Sequence, residues 1–65
     1  MSLGAQIKEL RIRREMTQEQ LAVRARLSRI YIAKLEGGER TSPSVPALRR
    51  IAQALRAKLV IDLVD

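Results

Sequence analysis

Residues 17–38, TQEQLAVRARLSRIYIAKLEGG, carry two helix-start signals and one helix-stop signal in a single short stretch. Thr17 followed three positions later by Gln20 is a capping box, in which the hydroxyl accepts an orphan backbone N–H and the amide reaches back to the cap residue. Met16 and Leu21 stand at the flanking staple positions. Ser28 is placed to cap a second helix, with Leu27 against Ile32 as its staple, and Gly37 and Gly38 can take the left-handed conformation that closes it. Leu21 and Ala25 share one face of the first helix, while Ile32 and Leu35, with Tyr31 beside them, share one face of the second, so the two faces are expected to meet. Ala22 is small where crossing helices approach closely, and only Ala25 to Leu27 remain to make the corner.

Outside this stretch the chain predicts two further helices. One runs from about Leu3 to Arg14 and buries Leu3, Ile7 and Leu10 at helical spacing, with Gly4 weakening its first turn. The other follows the loop Glu39–Pro43 and runs from Ser44 to about Arg56, with Ser44 as cap, Pro46 tolerated in the first turn, and Val45, Leu48, Ile51, Ala52 and Leu55 facing inward. A chain of 65 residues buries only about 60% of its unfolded surface, which means one small core and little room for a deep substrate cavity. With neither cysteine nor histidine, the chain lacks a disulfide framework, thiolate and imidazole metal ligands, and the usual general base near neutral pH. No serine sits in a G-x-S-x-G context, so the expectation is a protein that binds and does not catalyse, with no metal or cofactor. The aliphatic runs are too short for a membrane span and arginines break the N-terminal region, which points to a cytoplasmic protein.

Thirteen basic against seven acidic side chains give a formal charge of +6, and no acid occurs between Arg40 and Asp62. A polyanion is the natural partner of such a surface, because each phosphate neutralised by lysine or arginine releases condensed counterions. An ordinary solvated exterior is the competing account of any single charge run. Tyr31 is the sole aromatic residue, so a base-stacking platform for single strands or RNA loops is missing and duplex DNA is favoured.

In TQEQLA, LSRIYIAKLEGGER and PSVPALRRIAQAL, ordered over residues 3–56, the chain resembles the phage-repressor type of helix-turn-helix, the XRE family of transcription regulators. The resemblance implies an all-α, compact, four- to five-helix lambda-repressor-like DNA-binding domain. Two positions depart from the family pattern: Arg26 stands at a corner that is usually glycine, and Arg56 follows the fourth helix where glycine is also common. A side chain forced into a left-handed corner costs about 1 kcal/mol or more.

The motif assigns roles. Its second helix enters the major groove, so Arg29, Ile30, Ala33 and Lys34 are the candidate base readers. Arg29 and Lys34 can donate to guanine O6 and N7, and Ile30 and Ala33 can touch a thymine methyl. Gln18, Arg40, Thr41 and Ser44 are assigned by the resemblance to the phosphate backbone, and Ser28 can reach a phosphate or a base edge. Arg11 and Glu36 are placed by the same resemblance as a largely internal ion pair with a structural role.

The domain is expected to occupy residues 1–58, followed by a tail, residues 59–65, LVIDLVD, whose β-branched and aliphatic composition suits a short strand. A lone strand needs a partner edge, either the same strand of a second subunit or a strand of another protein. A short fifth helix that packs Leu59 and Leu63 is the alternative, since their spacing also fits one. The leading functional expectation is a homodimeric, sequence-specific regulator, repressor or autoregulator, of double-stranded DNA. The second is an antitoxin-like module that neutralises a toxin-like partner protein and represses its own operon. If the tail carries self-association, deleting residues 59–65 yields a monomer, and a truncated chain that still sediments as a dimer would refute this.

Overall fold

The computed structural model describes residues 2–39 and 43–57, which form four α-helices: α1 (Leu3–Arg13), α2 (Gln18–Ala25), α3 (Arg29–Glu36) and α4 (Val45–Ala54). Each begins on a hydroxyl cap. Ser2 accepts from the Ala5 amide, Thr17 from Gln20, Ser28 from Tyr31 and Ser44 from Ala47, at 3.0–3.2 Å. The capping box at α2 is complete, because the Gln20 side chain also accepts from the Thr17 amide at 2.8 Å.

The helices also end alike. After α1 the amide of Met16 donates to the Arg11 carbonyl, after α2 Leu27 donates to Ala22, after α3 Glu39 donates to Lys34, and after α4 Ala57 donates to Ala52. Each of these bonds spans the six-residue turn of a Schellman closure, whose hinge residue is left-handed. Only one of the four hinges is glycine, Gly38 at φ 79°. Glu15 (φ 56°), Arg26 (φ 56°) and Arg56 (φ 53°) take the others. The corner between α2 and α3 therefore keeps its left-handed geometry with arginine in place, at a cost of about 1 kcal/mol.

The core draws on all four helices. Leu21, Ile32, Ile51 and Leu55 are fully enclosed, and Ile7, Met16, Ala22, Ala25 and Leu35 join them, with Leu10, Leu27 and Tyr31 packed at the margin. Helix α2 is central and packs on both α3 and α4, while α1 packs on α3. Ala22 and Ala25 are enclosed in the core, and their small side chains allow α2 this close approach. Leu48 and Ala52, expected inside, are only half-buried, and two others are exposed: Leu3 at 41% and Val45 at 43%. Both sit at the first position of their helices, where the chain enters the bundle from its edge. The helix expected to Arg56 ends at Ala54, because Arg56 has already turned left-handed. Residues 59–65, with the expected strand or fifth helix, and the end of the 1–58 unit lie outside the described residues.

Gly4, which the sequence marks as a weak point of α1, is a point of close backbone approach between α1 and α3. A Cβ there would stand 2.0 Å from the carbonyl oxygen of Leu35 and 3.3 Å from the Glu36 Cα. Helix propensity favours alanine over glycine by about 1 kcal/mol, so the two effects predict opposite signs. Packing wins here, because the obstacle is backbone. We expect Gly4→Ala to lower stability by about 1–3 kcal/mol in denaturant titration, and a gain in stability would refute the close-contact account.

Candidate DNA interface

Helix α3 has an inner and an outer face. Ile32 and Leu35 are buried, whereas Ser28, Arg29, Ile30 and Lys34 are exposed and Tyr31 and Ala33 lie between. Ile30 is 66% exposed, and no core contact accounts for so large an aliphatic group there. The four candidate readers Arg29, Ile30, Ala33 and Lys34 occupy positions i, i+1, i+4 and i+5, two adjacent rows on the same side of the helix. Lysine and arginine are the only charged types on this surface, since no acid occurs between Arg24 and Leu35. The first turn of α3 contains no acid either. Its positive dipole end therefore has no acidic side chain beside it.

The backbone-contact candidates have mixed fates. Ser28 and Ser44 accept a backbone N–H as helix caps. A hydroxyl that accepts in this way still has its own O–H to donate, so capping and a phosphate contact are compatible. Gln18 opens α2, and its Nε2 donates to Glu36 Oε1 at 3.3 Å. One N–H of that amide is thereby engaged and the second remains to donate. Arg40 and Thr41 lie outside the described residues.

Arg11 and Glu36 form a two-pronged pair: Nε to Oε2 at 2.8 Å and Nη2 to Oε1 at 2.9 Å. The third guanidinium nitrogen, Nη1, donates to the Met16 carbonyl at 2.7 Å. The Glu36 side chain is 2% exposed and that of Arg11 12%. One carboxylate therefore joins α1, the end of α3 and, through Gln18, the start of α2. A charge so enclosed survives only because its hydrogen bonds are met, and the described residues contain no buried side-chain polar atom without a partner.

Two further arginines prove to be structural, and the sequence gives no local sign of it. Arg14 Nε donates to the Leu55 carbonyl and Arg50 Nε to the Ala25 carbonyl, each at 3.0 Å. Both cap the C-terminal end of another helix, where a cation also opposes the negative dipole end. Their partners lie 41 and 25 positions away in the chain. Arg13 pairs with Glu9 along α1, an exposed pair of little energetic weight. In the motif itself, the side chains of Arg24, Arg26, Arg29 and Lys34 have no hydrogen-bond or ion-pair partner among the described residues.

The comparison with known proteins agrees with this geometry. The model of the helix-turn-helix domain family matches residues 2–61. The chain belongs to the phage-repressor-type helix-turn-helix family. It is similar to the immunity repressor protein of Bacillus phage phi105, with 46% identity over 55 residues, 85% of this chain and 38% of the relative. It is also similar to the HTH-type transcriptional repressor RghR of Bacillus subtilis strain 168, with 34% identity over 85% of this chain and 41% of the relative. The chain thus spans about two-fifths of the length of these curated relatives. Among solved structures, the helix-turn-helix domain superposes on the restriction-modification controller protein C.AhdI from Aeromonas hydrophila with a TM-score of 0.79 at 33% identity, covering 85% of this chain and 82% of that one. The controller protein C.Esp1396I gives 0.78 at 33% identity, with 85% and 70% covered. Among the described residues, no helix is long and apolar enough to cross a membrane.

Because the Arg11–Glu36 pair ties α3 to α1, Glu36→Ala leaves a guanidinium partly withdrawn from water without its partner, a loss of about 3–5 kcal/mol when burial is complete. That is most of what a domain of this size has. We expect the variant to be largely unfolded by circular dichroism at 25 °C, and a melting temperature equal to that of the parent would refute the assignment.

Proposed function

We propose that the chain is the DNA-binding unit of a cytoplasmic transcriptional regulator, a repressor or autoregulator that binds double-stranded DNA as a homodimer and catalyses no reaction. The observation that carries this reading is the outward face of α3, where Arg29, Ile30 and Lys34 are exposed on a helix anchored from behind by Ile32, Leu35 and Glu36. A helix held rigidly with its polar side free can follow the major groove, its N-terminal residues leading. Arg29 and Lys34 then donate to guanine, Ile30 and Ala33 meet thymine methyl groups, and Gln18, Ser28, Arg40, Thr41 and Ser44 hold the phosphates. Similarity to proteins named repressors and controllers supports the regulatory role. A symmetric dimer suits the motif, since one head of this size binds weakly and two address half-sites about one helical turn apart. The antitoxin-like alternative rests on residues 59–65, and no feature of the described residues favours it over a regulator.

Selection from a random duplex pool at near-physiological salt tests the reading: a palindromic site is expected, with affinity that falls steeply as salt rises. On that site Arg29→Ala should cost about 1–3 kcal/mol and relax discrimination at one position, whereas Gln18→Ala should weaken cognate and random duplex alike. Equal losses from both changes on both duplexes would show the roles to be misassigned, and no enrichment at all would remove the regulator reading.

A further inference from the structure

The corner of the motif holds a side chain that backbone geometry disfavours. Arg26 closes α2 with φ 56° and ψ 46°, donating its amide to the Val23 carbonyl at 3.2 Å while Leu27 donates to Ala22 at 2.9 Å. Glycine takes such a hinge without strain, as Gly38 does after α3. Left-handed backbone does not by itself single out Arg26, because Glu15 and Arg56 share it. Its placement does. Arg26 lies two residues before Ser28, the cap of the reading helix, and is exposed. Arg14 and Arg50 spend their guanidinium groups on helix-end carbonyls, whereas the guanidinium of Arg26 has no partner among the described residues.

Resting on the regulator reading above, we infer that Arg26 is a DNA-backbone contact, with its guanidinium on a phosphate at the rim of the groove that α3 enters. The N-terminal end of a reading helix points toward base edges, so the turn leading into it passes the sugar-phosphate wall. A planar guanidinium on a long stem suits a phosphate there and adds a second cation beside Arg29. The strained hinge is retained for the charge it carries, not for the fold, which glycine would serve better. The contact is independent of sequence and adds to affinity without adding to discrimination.

The test uses the full chain with R26G and R26K beside the parent. R26G should raise the melting temperature by roughly 3–6 °C, since it relieves a left-handed side chain in a small domain. It should also weaken cognate and random duplex alike, by roughly fivefold at physiological salt, and make the slope of log affinity against log salt shallower by about 0.9, as expected for one phosphate. R26K keeps the charge and should keep the slope. Unchanged affinity and slope in R26G, with the parent binding normally, would overturn this inference alone. A loss confined to the selected site would also overturn it, by making Arg26 a base reader. No salt-dependent binding by the parent would overturn the regulator reading together with this one.

Discussion

The position of α3 depends on one ion pair. Glu36, at the last residue of α3, accepts two bonds from Arg11 on α1 and one from Gln18 at the start of α2. A small domain has few buried residues with which to fix the angle of a surface helix, and apolar contacts are not directional. A planar guanidinium against a carboxylate is directional, and so sets register as well as proximity. The same carboxylate touches Gln18, a candidate phosphate contact, so the element that holds the fold also orients part of the proposed interface.

Arginine performs three different tasks in this chain, and the net charge of +6 conceals the division. Arg11 braces the helices, Arg14 and Arg50 close helix ends, and Arg24, Arg26 and Arg29 are left to the solvent side of the motif. The field presented to a polyanion comes from the last group more than from the total. Because Glu36 is neutralised internally and no acid lies between Arg24 and Leu35, the stretch from the end of α2 through α3 presents only positive charge.

Helix closure follows a similar division between local preference and tertiary demand. All four helices end in the same hydrogen-bond pattern, yet three of the hinges are charged side chains in the left-handed region. Each such hinge takes about 1 kcal/mol from a domain whose whole stability is a few kcal/mol. The buried cluster around Leu21, Ile32, Ile51 and Leu55 offsets that strain.

The amino-acid sequence by itself determined where the helices begin, because a cap is a local matter: Thr17 with Gln20, Ser28 and Ser44 each bond to a backbone N–H three residues away. It also determined which face of α3 is apolar, since Ile32 and Leu35 recur at helical spacing. Tertiary structure alone decided what depends on partners far along the chain. Gly4 reads as a flaw in α1 until the Leu35 carbonyl is placed against it. Leu3 and Val45 read as core residues until the helices are docked and their first turns reach the rim of the bundle. Arg14 and Arg50 read as surface charge until carbonyls 41 and 25 positions away are brought within hydrogen-bond reach. The physical reason is range: propensity and capping act over one helical turn, whereas burial and charge pairing are fixed only once separate turns of the chain share the same few ångströms.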